Sequence, residues 1–179
     1  MTLNDIIISA LTQLDRGYDA KTVEIYRTRL TQYANDGQDD LALSLGLTKT
    51  ETRPAANGVM DTNTLSRRCL RVERVCQRGH EVPFRTGSLM NRILLPYEEP
   101  AEVTYRFLPN RLERANDVSE LPEFMHSLIV TYVVGRERMG GDTSTQSGAN
   151  IYLSMYNAAK AKLRGYIRDA DSFSITNRY

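Results

Sequence analysis

Side chains that commonly carry catalysis or bind metals are scarce in this chain of 179 residues. It contains two histidines and two cysteines, and Cys69, Cys76 and His80 lie close together in the sequence. A structural zinc site needs four ligands in a tetrahedral arrangement, and no second His/Cys pair is present to complete one. Residues seven apart on a strand also point to opposite faces of the sheet. We therefore expect two free thiols, with no metal and no cofactor.

The remaining candidates for chemistry are polar residues on predicted helices. His126 lies within a helical pattern, where a partly buried or interfacial histidine is the expected interpretation. Asp39 and Asp40 are adjacent on a helix, so their carboxylates cannot face each other as a catalytic pair. The segment GGDTSTQSG combines glycines with hydroxyls, but it follows a helix and lacks the lysine of a phosphate-binding loop. These residues give no support to an enzyme.

Four amphipathic helices are predicted to position these residues. Thr2 or Asn4 can cap the first, and the second is predicted from Ala20 to Leu45, with Gly46 as its C-cap. The third and fourth helices lie within residues 121–168 and are joined by the glycine-bounded loop. The face predicted to be buried on the third helix consists of Met125, Leu128, Ile129 and Tyr132. Glycines inside three helices indicate either close helix–helix approach or a chance occurrence: Gly37, Gly135 and Gly165.

Between the helical pairs the apolar pattern changes to a period of two residues. The run AEVTYRFL alternates Val103, Tyr105 and Phe107 with polar neighbours, and CLRVERVC places Leu70 and Val72 on one side. This alternation predicts short antiparallel strands. Turn signals separate the runs at Asn57-Gly58, Arg78-Gly79 and Thr86-Gly87.

These elements predict an α+β fold. The simplest assembly is an antiparallel four-helix bundle with a small antiparallel β module inserted between helices 2 and 3, and an extended C-terminal tail. The helical pairs would be residues 1–46 and 115–168, the β module residues 47–114, and the tail residues 169–179. Composition alone leaves that tail either disordered in isolation or added to a partner as a strand. Without a signal-peptide pattern or a run of about 20 apolar residues, we expect a soluble protein.

Positive charge is concentrated in the middle of the chain. Residues 65–114 carry ten arginines and six acidic residues, net +4, whereas residues 1–64 carry a net charge of −3. Such an excess permits nucleic-acid binding. Interspersed glutamates favour a solvated surface or a protein interface, since arginine also pairs with the carboxylates of other proteins. The candidate contact residues of the β module are Arg67, Arg71, Arg74, Arg85 and Arg106.

The order of elements and several stretches resemble the head-to-tail adaptor (head-completion or connector) proteins of tailed bacteriophages. The similarity covers essentially the whole chain. It includes IYRTRLTQYANDGQDDLALSL, CLRVERVCQRGHEVPF, EVTYRFLPNRLERANDVSELP and LPEFMHSLIVTYVVGRERMGGDTSTQSGANIYLSMYNAAKAKL. In the last of these regions the family also has a D-x-x-x-LP-x-x-x-H pattern and a tyrosine-bearing final helix.

The resemblance implies a structural protein of the virion neck, made in the cytoplasm of the host bacterium. Such proteins form a ring, commonly dodecameric, between the portal protein and a tail or stopper (nozzle) protein, and DNA passes through the channel without specific binding. The C-terminal segment commonly reaches the portal. By this resemblance the candidate portal contacts are Arg164, Arg168, Phe173, Ile175, Arg178 and Tyr179.

Three carboxylates on the second predicted helix allow two interpretations. Asp36, Asp39 and Asp40 would face the channel of such a ring, where their charge repels DNA phosphates, or they form a plain solvated face. Two other functions also stay open. A nucleic-acid-binding protein would use the Arg-rich β module, and a hydrolase would need a site in that module that no motif reveals.

Overall fold

The protein is described from a computed structural model. The structure describes residues 1–87, 89, 91–140 and 143–171, and for residues 143–147 and 164–171 it describes the backbone alone. The chain forms two compact units. The helical unit comprises Met1–Leu45 and the chain from Arg111 onward, and the β unit comprises Gly46–Asn110.

Four α-helices are present in the described part of the helical unit. They are α1 (Leu3–Gln13), α2 (Ala20–Leu45), α3 (His126–Met139) and α4 (Thr143–Asp171). Helix α3 packs against each of the other three, so it is the centre of this unit. None of the described helices combines the length and the apolar character needed to cross a bilayer.

The predicted antiparallel four-helix bundle with an inserted β module is wrong. The helices contain 11, 26, 14 and 29 residues, so α1 and α3 are too short to accompany α2 and α4 along their length, as bundle helices do. They are split around a strand-rich region that contains two antiparallel sheets. Helix α4 also continues to Asp171, so residues 169–171 are helical and do not begin an extended tail. The rest of the predicted tail lies outside the described residues.

Local features of the chain explain where α1 begins and where α2 ends. The hydroxyl of Thr2 accepts from the backbone N–H of Asp5, and the Asp5 carboxylate accepts from the N–H of Thr2, which is a capping box. Gly46 follows the last residue of α2 with a φ of +64°, a left-handed conformation that glycine adopts without a steric penalty. The predicted bounds of α2 and its glycine cap are confirmed.

Helix α3 is buried over a broader and different surface than predicted. Leu128 and Tyr132 are only half-buried, because packing against three helices encloses the other sides of α3. Gly140 ends this helix with a φ of −81°, which is in the right-handed region. The buried residues of α3 are His126, Ile129, Val130, Val133, Val134, Gly135 and Glu137.

Two helical glycines mark close approaches between helices. A Cβ atom on Gly37 of α2 would lie 2.9 Å from the ring of Tyr132 on α3. A Cβ atom on Gly135 of α3 would lie 2.8 Å from Cδ2 and 2.9 Å from Cγ of Leu153 on α4. Such distances leave no room for a methyl group, so the close-approach interpretation is confirmed for these two glycines. The surroundings of Gly165 lie outside the described side chains.

The described residues of the β unit form two antiparallel sheets, with strand orders β1-β7-β3-β4 and β2-β6-β5. Arg78 and Gly79 both have positive φ, as a two-residue hairpin turn requires, and they join β3 to β4. The strands are β1 (Thr48–Arg53), β2 (Val59–Asp61), β3 (Arg68–Gln77), β4 (His80–Glu81), β5 (Arg85–Thr86), β6 (Arg92–Leu94) and β7 (Ala101–Leu108).

The two sheets share one apolar core. Val103 and Tyr105 of β7 are fully buried there, as their alternation predicted, together with Met60 of β2 and Ile93 of β6. The prediction that Leu70 and Val72 lie on the same side of the sheet is wrong. The register of β3 against β7 shifts after Cys69, so Leu70 is 42% exposed while Val72 is buried.

Replacing Gly135 with Ala should destabilise the protein. The methyl group gains about 1 kcal/mol of helix propensity, but overpacking against Leu153 costs about 1–3 kcal/mol. Gly148→Ala on α4 is the matched control, because its Cβ would meet the movable end of Arg138 at 3.1 Å. Urea unfolding followed by circular dichroism should show a lower midpoint for Gly135→Ala alone. An unchanged or higher midpoint would show that Leu153 moves aside freely.

Candidate functional site

Three of the five candidate arginines lie on one exposed sheet face. In the register of the first sheet, Arg106 of β7 is paired with Arg71 of β3, and Thr104 of β7 is paired with Arg74 of β3. Directly paired residues share a face, and the side chain of Tyr105 between them points into the core. Threonines of β1 complete this sheet surface, and they are Thr48, Thr50 and Thr52.

The charge of this sheet surface is mixed. The guanidinium of Arg106 forms an ion pair with the Glu73 carboxylate, and Glu102 is paired with Thr52 and Cys76 in the register of the same face. The hydroxyls of Thr50 and Thr104 are hydrogen-bonded to each other at 2.9 Å. A surface with alternating charges and hydroxyls suits contact with a polar protein surface better than contact with a row of phosphates.

The other two candidate arginines do not belong to this surface. Arg85 lies on β5, where it is paired with Leu94 of the second sheet. Arg67 precedes β3 and donates to the carbonyl oxygen of Ser66 at 3.0 Å. The sequence could not separate these positions, because an arginine count carries no information about which sheet a strand joins.

The three candidate channel carboxylates on α2 are half-buried. The Asp40 carboxylate accepts hydrogen bonds from the hydroxyl of Tyr156 at 2.5 Å and from Nζ of Lys160 at 2.6 Å. Burial, together with the bond to Asp40, raises the pKa of Tyr156 above its usual range. Asp40 thus ties α2 to α4. That Asp36, Asp39 and Asp40 face a channel stays a prediction.

The candidate portal contacts lie at the end of the chain. Phe173, Ile175, Arg178 and Tyr179 lie outside the described residues. Arg164 and Arg168 belong to α4, where the backbone alone is described. Their role in binding a partner therefore stays a prediction.

The β unit contains a buried carboxylate that was not predicted from the sequence. The side chain of Glu51 on β1 is 11% exposed, and it accepts from Tyr105 Oη and Arg53 Nη2, each at 2.6 Å. It also accepts from the backbone N–H and the hydroxyl of Ser66 and lies 3.2 Å from Lys49 Nζ. The alternation of TKTETR could have placed Lys49, Glu51 and Arg53 on one face, but nothing in it indicates the distant partners.

The protonation of this Glu51 cluster follows from its contacts. Burial raises the pKa of Glu51, but the hydrogen bonds from Ser66, Tyr105 and Lys49 outweigh burial and lower that pKa to about 2. Burial and the bond to Glu51 raise the pKa of Tyr105 to about 12. At neutral pH the cluster therefore contains a carboxylate and a neutral phenol.

Lys49 and Ser66 are arranged like a lysine-activated nucleophile, with 2.6 Å between Nζ and Oγ. Such a pair works only when a neutral amine takes the hydroxyl proton. Here the ammonium group of Lys49 is ion-paired with Glu51, and the Ser66 hydroxyl donates to the same carboxylate. The arrangement holds β1 to the segment before β3, and it gives no support to a hydrolase.

A second buried carboxylate lies in the helical unit. The side chain of Glu137 on α3 is 5% exposed, and its Oε1 accepts from Arg16 Nη1 at 2.7 Å and from Arg29 Nη2 at 2.6 Å. Both guanidinium groups lie over the ring of Tyr26, at 4.4 and 5.3 Å from its centroid. The sequence shows a glutamate between two arginines on α3 and gives no sign that it is buried.

Two buried amide side chains hold in place the segment that follows the β unit in the chain, which includes Leu112 and Ser119. Asn35 donates to the carbonyl oxygen of Leu112 at 2.9 Å and accepts from its N–H at 2.8 Å, as a neighbouring strand would. Gln38 accepts from the Ser119 hydroxyl at 3.2 Å. His126 is 5% exposed, with Nε2 donating to the Leu121 carbonyl oxygen and Nδ1 accepting from the backbone nitrogen of Met1. These contacts are structural ones.

The cysteines of the β unit carry free thiols, as predicted. Burial raises the pKa of Cys69, which favours the unreactive thiol form. Within the described residues, no group of three or more His, Cys, Asp or Glu side chains is arranged to hold a metal ion.

Comparison with protein-family models and with curated proteins found no match to this chain. The family therefore rests on the resemblance described above and stays a prediction.

The contribution of Glu51 to stability should depend on pH. Because its folded-state pKa of about 2 lies below the ordinary value of 4.5, the stabilisation is complete above pH 4.5 and is lost as the pH falls toward 2. Glu51→Gln should reduce the free energy of unfolding by on the order of 2 kcal/mol at neutral pH, with a difference that shrinks in acid. Urea unfolding across this pH range measures it.

The matched control for this measurement is Glu102→Gln, a change of the same kind at an exposed position of β7. It should leave the pH dependence of unfolding close to that of the parent protein. An equal pH dependence for Glu51→Gln and the parent protein would show that the Glu51 contacts are not maintained in solution.

Proposed function

We propose that this protein is a structural component of a tailed-bacteriophage virion, a head-to-tail adaptor located in the neck between head and tail. Copies assemble into a ring below the portal protein, bind a tail or stopper protein on the other side, and leave a channel for DNA. The proposal joins the resemblance given above to the surface features of the helical unit.

The observation that carries the proposal is an exposed apolar face on α4. Ile151 is 62% exposed and Met155 is 59% exposed, and they lie one helical turn apart on the same side of the helix. Ala158 continues this face by a further turn and is also exposed. Large apolar side chains grouped on the outside of a helix commonly mark a protein–protein interface. This face supports a role based on assembly.

Two apolar side chains are exposed on α2 at separate places. Ile25 is 67% exposed and Leu43 is 56% exposed, and they lie 18 residues apart, about 27 Å along the helix. Gln32, Asp36 and Asp39 lie between them on the same side of α2, so they do not form one apolar surface. In a ring built by head-to-tail contacts, one surface of each copy meets a different surface of its neighbour, so the face of α4 would contact another part of the next copy. Repetition of such a contact around a rotation axis closes a ring.

Three paired carboxylates support a structural role rather than a catalytic one. Glu51, Glu137 and Asp40 are each bound by cations or hydroxyls of this same chain. A catalytic acid or base has to reach a substrate through an open site with its proton available. These three groups instead connect elements of their own unit. In the proposed assembly, the exposed face of the first sheet contacts a neighbouring protein.

A nucleic-acid-binding function is the second candidate. The observation in its favour is the grouping of Arg71, Arg74 and Arg106 on one sheet face. Against it, Glu73 and Glu102 lie on the same face, and the Glu73 carboxylate already neutralises Arg106. Affinity for DNA phosphates depends on the number of unneutralised cations along the track. The adaptor function is therefore better supported.

Ring formation should depend on the apolar face of α4. Met155→Asp introduces a charge into that face, and the desolvation of this charge in an interface should prevent assembly. Asn157→Asp is the matched control, since it adds the same charge at an exposed position on another side of α4. Negative-stain images of each variant mixed with portal rings of the same virus should show neck rings for the control alone. DNA binding that weakens steeply with salt, without rings, would support the second candidate.

Portal capture should depend on the end of the chain. A variant that stops after Asp171 keeps every described helix, so its circular dichroism spectrum should match that of the full chain. The lost residues 172–179 contain Phe173, Ile175 and Tyr179 at alternating positions, a pattern typical of a segment that adds to a partner as a strand. Pull-down on immobilised portal rings should retain the full chain and should not retain the shortened variant. Undiminished capture of the shortened chain would contradict the predicted portal contacts.

A further inference from the structure

A small cavity lies beside the C-terminal end of α3. Its volume is about 170 Å³, and it is lined by Arg16, Arg29, Tyr33, Glu137 and Gly140. The lining thus contains two guanidinium groups, a phenol ring with its hydroxyl and one carboxylate. Gly140 contributes only backbone atoms, because it has no side chain. It is distinct from the apolar face of α4 and from the sheet of the β unit.

The two guanidinium groups of this cavity are held in place by the protein itself. Both donate to the same oxygen of Glu137, and both stack on the ring of Tyr26. A side chain that is already ordered loses little conformational entropy when it binds a ligand. The cavity is therefore organised for binding before any ligand arrives.

The cations at the cavity exceed what Glu137 requires. One carboxylate is neutralised by one cation, yet Arg16 and Arg29 both bind it, so the lining carries one net positive charge. Each guanidinium has five N–H donors, and Arg16 and Arg29 each use one of them on Glu137.

An oxyanion fits these properties. Guanidinium groups present paired N–H donors to phosphate oxygens, and charge-assisted bonds of this kind are stronger than those between neutral groups. The Tyr33 hydroxyl can supply one more donor. A phosphate group presents at least three acceptor oxygens, so it can accept from both guanidinium groups and from the Tyr33 hydroxyl at once. A carboxylate has only two oxygens, and chloride is a single atom.

We propose that this cavity binds a phosphate group, either as the free ion or as a phosphomonoester. The phosphate oxygens accept from the N–H groups of Arg16 and Arg29 that face the cavity, while Glu137 keeps both guanidinium groups in position. The site lies wholly within the helical unit, so it neither requires the proposed ring nor uses the Arg-rich sheet.

Calorimetric titration with inorganic phosphate tests the site, with sodium chloride and sodium acetate at matched ionic strength as reference ions. The full-length protein should bind phosphate more tightly than acetate. Arg29→Gln should weaken phosphate affinity by about tenfold or more, because it removes a charged donor while Arg16 remains to pair with Glu137. Arg27→Gln is the matched control, since Arg27 lies on the same helix and is paired with the exposed Glu24.

Two further measurements complete this test, one on a second variant and one with a competing ligand. Arg29→Lys keeps the charge but loses the paired donors, so it should fold and still bind phosphate more weakly than the parent. Phosphoserine that displaces the free ion would identify a phosphomonoester as the ligand, whereas no displacement would identify the ion. Equal phosphate affinities for Arg29→Gln, Arg27→Gln and the parent protein would overturn the proposal. So would acetate binding as tightly as phosphate.

Discussion

The helical unit depends on how closely α3 can approach the helices around it. Gly37 faces the ring of Tyr132, and Gly135 faces Leu153, at separations that exclude even a methyl group. Helix α3 has only 14 residues and contacts α1, α2 and α4 at once, which buries Ile129 and all three of its valines. The two glycines make that enclosure possible, and the polar contacts of the unit are arranged around it.

Buried charges and amides then determine which arrangement of these apolar elements is adopted. Apolar contacts tolerate small shifts, whereas a buried carboxylate or amide without its partners is costly. Glu137 therefore fixes the end of α3 relative to Arg16 and Arg29, and Asn35 fixes the backbone at Leu112. In the β unit, Glu51 has the same role toward Tyr105 and Ser66. Each cluster acts within its own unit.

Local features were predictable from the sequence, and long-range ones were not. The cap at Thr2, the bounds of α2 and the inward side chains of β7 follow from neighbouring residues, whose spacing is fixed by helix and strand geometry. The four-helix bundle failed because periodicity shows that a helix face is buried without showing which helix covers it. Leu70 failed through a register shift that no spacing reveals. The partners of Glu137 are separated from it by more than 100 positions, beyond any local pattern.

The double hydrogen bond between Asn35 and Leu112 has an evolutionary consequence. It anchors the returning chain to α2, and the backbone of α1 adds hydrogen bonds from Leu3 to Asp117 and from Asn4 to Ala115. The path of this segment is thus set by contacts inside the helical unit. These hydrogen bonds join residues of the helical unit alone, so a change between Gly46 and Asn110 removes none of their donors or acceptors. In evolution, insertions or substitutions in the strand region would therefore leave this anchor of the helical unit in place.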